Sequence, residues 1–219
     1  MSKKKGCIVQ IFVSTDNYEN KKHLDWQNDE CIKLSTMMCH AYAEKHGLDY
    51  FFIQEGVVNY KHPTWERFML LDDKWVKEYE YVIYLDTDVF PWAETDDITK
   101  QFEKDKLNIV RHIECNPGAM PKDPEFHINA GVICFTEGVA QQIRELATPE
   151  EWDKRFVDNP LYHDNHFMNE LTAKVPTHVL PSKWNHKRDI NAHITHLWGK
   201  RKTTENAAFK KARKQLGIK

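Results

Sequence analysis

Along the chain, short apolar runs alternate with longer segments whose apolar positions recur every three or four residues, so strands and helices are predicted to take turns. Cys7-Ile-Val-Gln-Ile-Phe-Val13 is a compact β-prone run, and Ser14-Thr-Asp-Asn-Tyr18 after it is turn chemistry. From about Lys21 to His46, residues Cys31, Ser35, Met38 and Tyr42 repeat at helical spacing, with Gly47 placed to cap the helix. Tyr50-Phe-Phe-Ile53 is a second short strand. This β-α-β opening argues for a parallel sheet.

A second helix is predicted from His62-Pro-Thr-Trp65, with Thr64 as candidate N-cap and Phe68, Leu71 and Trp75 on one face. It leads into Tyr81-Val-Ile-Tyr-Leu-Asp86-Thr-Asp88, a third strand ending in two acids. Asp96, Asp97 and Thr99 introduce a short charged helix, and Asn108-Ile-Val-Arg-His-Ile113 reads as another strand. Cys115 to Glu125 holds Pro117, Gly118, Pro121 and Pro124, the composition of a loop able to act as a lid. His127 to Phe135 is a strand with Asn129-Ala130-Gly131 near its start, and a glycine inside a strand pattern marks close approach to its backbone. Helices are expected from Gly138 to Ala147 and from Tyr162 to Leu171, the latter with Asp164 in its first turn, where the helix dipole favours a carboxylate. Val175-Pro-Thr-His-Val-Leu180 is a proline-broken strand that belongs at a sheet edge. Thr203 to Leu216 reads as a basic helix with Phe209, Ala212 and Leu216 on one side. The whole predicts an α/β fold: one domain over residues 1–219, with a mixed, mostly parallel central sheet flanked by helices.

Composition narrows the function classes. The 41% hydrophobic content is that of an ordinary globular protein, and a net charge of −2 gives no global signature of a nucleic-acid binder. Basic residues cluster at the ends, at Lys3 to Lys5 and from Lys200 to Lys214, which leaves an acidic middle. Five cysteines, Cys7, Cys31, Cys39, Cys115 and Cys134, show no Cys-x-x-Cys spacing and sit mostly in apolar contexts, as buried free thiols of a reducing compartment do. No apolar stretch is long enough to span a bilayer, and Met1-Ser-Lys-Lys-Lys5 precedes too short a run for a secretory signal. A cytoplasmic location is therefore expected.

The candidate chemistry centres on Asp86 and Asp88. Acids at the C-terminal end of a buried strand sit where open α/β sheets bind ligands, and carboxylates at i and i+2 of an extended chain point the same way, toward one cation. Hard oxygen donors suit Mg²⁺ or Mn²⁺, whose open positions suit a diphosphate. A pair of solvated acids at a strand end is an equal alternative for the motif alone. His196, followed by Gly199 and Lys200-Arg201-Lys202, adds a candidate third ligand beside phosphate-binding cations and tilts the metal toward Mn²⁺. His193 competes for that role.

Taken in order, these segments resemble the GT-A glycosyltransferases that use nucleotide sugars, in particular the compact glycogenin-type and galactosyltransferase-type members. In that family an apolar strand ends in Asp-x-Asp, as at Asp86-Thr87-Asp88, and holds the metal against the nucleotide diphosphate. A later Asn-Ala-Gly strand, matched by Asn129, Ala130 and Gly131, lines the donor-sugar site. A helix opening with Asp-Gln is similar to Asp164-Asn165, with Asn in place of Gln. A His-x-x-Gly-x-x-Lys segment, matched by His196, Gly199 and Lys202, supplies the third ligand and a diphosphate contact. By looser analogy Thr15 and Tyr18 would serve the base and ribose, Tyr18 by stacking, and Arg67 the phosphates.

The resemblance implies transfer of a hexose-type sugar from a nucleotide sugar, UDP being the carrier most relatives use, to a hydroxyl of a carbohydrate, glycoprotein or glycolipid acceptor. It implies Mn²⁺ (or Mg²⁺) as cofactor, and Asp164 beside the donor sugar. It also assigns a nucleotide-binding part to residues 7–90, a donor-sugar and acceptor part to residues 108–202, and a basic helix to residues 203–217. For that helix two readings stand, a peripheral membrane contact through Phe209, Ala212 and Leu216 and a surface helix with core contacts. Two rivals for the whole chain are a haloacid-dehalogenase-like phosphatase, whose Asp-x-Asp normally ends the first strand, and a non-catalytic nucleotide-sugar or carbohydrate binding module.

Overall fold

The computed structural model describes residues 2–13, 29–54, 63–111, 128–158, 164–187, 189–197 and 207–218. The strands are β1 (Lys4–Ile11), β2 (Asp49–Ile53), β3 (Tyr79–Leu85), β4 (Val89–Pro91), β5 (Leu107–Arg111), β6 (Ile128–Phe135), β7 (Thr177–Leu180), β8 (His186–Lys187) and β9 (Ile194–His196). The helices are α1 (Asp29–His46), α2 (Asp73–Val76), α3 (Glu137–Leu146), α4 (Pro149–Asp158), α5 (Asp164–Thr172) and α6 (Ala207–Gln215), with short 3₁₀ segments between some of them.

Six strands form the central sheet in the order β2-β1-β3-β6-β5-β7. Only β6 runs against its neighbours, so the mixed, mostly parallel α/β sheet expected from the pattern is present. Successive residues of the inner strands face opposite sides and both sides are covered. Val9, Val82 and Ile133 enter one core with Trp65, Phe68 and Phe167, while Ile8, Ile83 and Cys134 enter the other with Tyr42 and Trp184. Burial on both faces is why these strands read as continuous apolar runs rather than as alternating ones. Strand β7 begins just after Pro176 and lies at the expected sheet edge, paired among the described residues with β5.

A second, three-stranded sheet, β4-β9-β8, is what positions the candidate site. The chain leaves β3 at Leu85, turns through Asp86, Thr87 and Asp88, and enters β4 at Val89, which pairs with His196 of β9. The turn between the two sheets thus carries both acids and lies against the histidine.

Several local expectations are corrected. The predicted second helix is a 3₁₀ segment, Pro63–Leu71, followed by the one-turn α2. Helix α4 is not predicted by the apolar pattern, although Thr148-Pro-Glu-Glu151 spells a capping sequence and the Glu151 amide donates to Thr148 Oγ1 at 3.2 Å. The face of α6 that a membrane contact would use is covered: Phe209 and Ala212 are fully buried with Phe90, Trp92, Met38 and Leu197. The lid candidate, Cys115 to Glu125, lies outside the described residues. Among the described residues no helix is long and apolar enough to cross a membrane. Cys7, Cys31, Cys39 and Cys134 are buried free thiols, and burial pushes Cys7, Cys39 and Cys134 well above the ordinary thiol range.

The short charged helix is the 3₁₀ segment Ile98–Gln101, with Asp97 as its N-cap. Asp97 Oδ1 accepts from the Thr99 amide at 2.9 Å and the Thr99 hydroxyl at 2.7 Å, and Oδ2 meets Lys5 Nζ at 2.5 Å. Burial alone would raise this carboxyl, but the Lys5 ammonium and the Thr99 donors hold it below its ordinary 3.8. The stabilisation is therefore full above that value and is lost as pH falls through the depressed folded one. Asp97→Asn, which keeps the cap and removes the charge, should cost about 1 kcal/mol at pH 7 in urea unfolding, Lys5 being partly exposed. That difference should shrink at pH 3; an equal loss at both pH values would show that the charge contributes nothing.

Candidate metal centre

Asp86, Asp88 and His196 offer ligand atoms that all lie within 4.8 Å of one another. His196 Nε2 is 3.0 Å from Asp88 Oδ1 and 3.5 Å from Asp86 Oδ2. The two acids do not converge by strand alternation, as an extended chain would bring them together. A turn folds Asp88 back toward Asp86, with the Val89 amide donating to the Asp86 carbonyl at 3.3 Å. Across the turn the Leu197 amide donates to the Asp88 carbonyl at 3.0 Å, which ties the end of β9 to the acids.

Each side of the cluster is held from behind. Asp86 Oδ1 accepts from the Tyr84 hydroxyl at 2.8 Å and pairs with Arg67 Nη2 at 3.3 Å, leaving Oδ2 as the oxygen facing His196. The Asp86 carbonyl accepts from Gln10 Nε2 at 2.9 Å. Gln10 in turn donates to Ser35 Oγ and accepts from the Tyr50 hydroxyl, and Ser35 donates to the Val89 carbonyl. This buried network joins β1, α1 and β2 to the turn, and satisfied networks of this kind fix one arrangement.

The close approach expected at Gly131 is made by the histidine itself. A Cβ on Gly131 would fall 2.5 Å from His196 Nδ1, nearer still to Cε1, and 3.0 Å from Asn129 Oδ1. The imidazole therefore rests on the backbone of β6. His193, the rival ligand, is turned away: its ring packs against Trp184 with centroids 4.5 Å apart. Burial, ahead of the Lys183 charge, lowers its pKa from the ordinary 6.5.

Arg67 reaches the acids from the interior of the fold. It is 2% exposed, lies 4.4 Å from the Tyr84 ring centroid, and donates to the Thr64 carbonyl (2.6 Å), the Ala130 carbonyl (2.5 Å) and Asp86. It is a buried brace between the turn and β6. Thr87 lies in the turn, and Asn129 and Ala130 are buried in β6. Asp164 and Asn165 open α5, which packs on β6, but their side chains are not among those described. Thr15, Tyr18, Gly199 and Lys202 lie outside the described residues. Tyr84, Gln10 and Asn185 were not singled out in the sequence, where nothing in the spacing around them marks a site.

Solved structures share this architecture. A glycosyltransferase involved in the glycosylation of the major capsid of PBCV-1 superposes with a TM-score of 0.53 at 13% identity, over 97% of this chain and 100% of that one. The galactosyltransferase LgtC, solved with donor and acceptor sugar analogues, gives 0.54 at 16% identity over 96% of each chain. The glycosyltransferase GlyE of Streptococcus pneumoniae gives 0.54 at 15% identity over 96% of this chain and 60% of that one. The fold is that of the GT-A glycosyltransferases. No family profile matches the chain, and no curated protein does. Within the GT-A architecture the acids follow β3 in the middle of the sheet, not the first strand that the phosphatase reading requires.

The donor set fits a divalent cation on chemical grounds. Two carboxylate oxygens and one imidazole nitrogen suit Mn²⁺, and also Mg²⁺. Three protein ligands around one point leave further coordination positions for a substrate.

Proposed function

We propose that this protein is a metal-dependent glycosyltransferase that moves a hexose-type sugar from a nucleotide sugar, UDP-linked, to an acceptor hydroxyl in the cytoplasm. The observation that carries the reading is the convergence of Asp86, Asp88 and His196 at the crossing between the two sheets of a GT-A fold. Mn²⁺ (or Mg²⁺) bound there would neutralise charge developing on the leaving diphosphate.

The rest of the work falls to the chain. The C-terminal end of β1 lies beside Asp86, through Gln10, and the segment with Thr15 and Tyr18 follows from it, which supports the nucleoside assignment. Helix α5 packs on β6, so Asp164 and Asn165 begin an element resting on the Asn129-Ala130-Gly131 strand. That neighbourhood supports Asp164 as a hydrogen-bonding partner of the donor sugar. Gly199 and Lys202, just beyond His196, would bind the diphosphate oxygens. In the transfer, the bond from the anomeric carbon to the diphosphate breaks, a bond to the acceptor oxygen forms, and the hydroxyl proton is released.

A thermal-shift screen of nucleotide sugars with and without Mn²⁺ tests this reading. At a hundred times its Kd a native-state ligand adds about 2.7 kcal/mol, roughly 5 °C or more in Tm for a chain of this size. A UDP-sugar should give that shift only with Mn²⁺. Equal shifts without metal, or none with any nucleotide sugar, would sink the proposal. A metal-dependent shift with neither transfer nor donor hydrolysis would mark a binding module.

A further inference from the structure

Two asparagines stand behind His196, and their burial calls for a physical reason. Asn185 is fully buried and Asn129 is 6% exposed, and unsatisfied amides in such places are costly. Asn129 Oδ1 and both polar atoms of Asn185 find partners in each other and in the site. The Gly131 amide donates to Asn129 Oδ1 at 2.9 Å, and Asn185 Nδ2 donates to the same oxygen at 2.8 Å. Asn185 Oδ1 lies 2.9 Å from His196 Nδ1.

This chain of contacts has a direction set by the backbone. A main-chain N–H can only donate, so the Asn129 atom facing Gly131 is its oxygen. That oxygen can only accept, so Asn185 turns its NH₂ group toward it. The remaining Asn185 atom is then an oxygen, and the His196 nitrogen it meets carries a proton. With Nδ1 protonated, Nε2 is the nitrogen delivered toward Asp86 and Asp88.

We infer that Asn185 is a positioning residue for the metal centre: anchored through Asn129 to the Gly131 amide, it holds the proton on His196 Nδ1 and presents Nε2 as the ligand. The inference rests on the metal reading above. It accounts for three features together, namely the two buried amides, the missing side chain at Gly131, which lets the ring lie on β6, and the neighbouring carboxylates on the Nε2 side. Partners of a ligating histidine set its orientation and basicity, and their loss weakens metal binding by about 10- to 100-fold.

The test is the affinity for Mn²⁺ alone, measured by the loss of the free-ion electron paramagnetic resonance signal, in the wild type, Asn185→Leu and Asn185→Asp. Leucine keeps the volume but removes the acceptor, so Mn²⁺ binding should weaken by about 10- to 100-fold. Aspartate keeps an oxygen for Nδ1–H but loses the donor to Asn129 Oδ1 and adds a buried charge, and should weaken Mn²⁺ binding less than leucine does, because the acceptor of a carboxylate–histidine–metal arrangement is retained. A purely structural asparagine predicts the reverse, with aspartate the more damaging change. Undiminished Mn²⁺ binding in Asn185→Leu would overturn the inference and leave the metal reading intact. Failure of the wild type to bind Mn²⁺ would remove both. Should the leucine variant not fold, ¹⁵N-histidine spectra of the Zn²⁺-loaded wild type decide: a proton on Nδ1 of His196 is expected, and metal on Nδ1 would refute it.

Discussion

Asp88→Ala will lose metal-dependent turnover by about a thousandfold or more, the scale of removing a group that acts on developing charge, while the protein stays folded. The carboxylate is the nearer of the two to His196 Nε2, at 3.0 Å, and the residue is 8% exposed. Its carbonyl, which accepts from Leu197, is untouched by the substitution, so the turn keeps its link to β9. Removing one of two closely placed carboxylates relieves repulsion in the metal-free protein but also removes the 3.0 Å contact with His196 Nε2, so stability without metal should change little. The checks are donor turnover at saturating Mn²⁺ and Tm in chelator. Turnover within tenfold of the wild type would remove Asp88 from the metal centre.

Gly131→Ala should produce the second largest effect, for a different reason. The backbone there does not need glycine's left-handed freedom; the constraint is space, because the added methyl would overlap the His196 ring and press on Asn129 Oδ1. Arg67 braces the neighbouring Ala130 carbonyl, and the Gly131 carbonyl accepts from the Asp86 amide at 3.0 Å, so β6 cannot simply retreat. Overpacking of this kind costs about 1 to 3 kcal/mol, and it moves a ligand as well. The variant should unfold at lower urea and should bind Mn²⁺ at least tenfold more weakly, as happens when the groups that orient a ligating histidine are disturbed. A stable variant with unchanged Mn²⁺ affinity would mean that the ring sits elsewhere.

The parts of this architecture legible in the sequence are those governed by local rules. Doubly covered strands show as apolar runs at β1, β3 and β6, the proline before β7 marks an edge, and Asp97 announces its cap. Alternation along an extended chain predicts Asp86 and Asp88 as near neighbours, whereas the structure joins them across a turn. The spacing was informative although the geometry behind it was different. Gly131 is legible as a point of close approach, but its visitor, His196, lies 65 residues later and reaches it through the pairing of β4 with β9. No local pattern encodes that pairing. Arg67 shows the same limit: its place on a predicted helix does not reveal the packing under Tyr84, where it supports Asp86 from the interior. Asn185 carries no motif at all, and its role emerges only from hydrogen-bond direction.

The most direct test of the central claim is an anomalous-difference map from a crystal of the protein with Mn²⁺ and UDP. One strong peak is expected within about 2.4 Å of Asp86 Oδ2, Asp88 Oδ1 and His196 Nε2, with diphosphate oxygens completing the shell. A manganese peak away from these three residues, or UDP bound with no metal beside them, would contradict it.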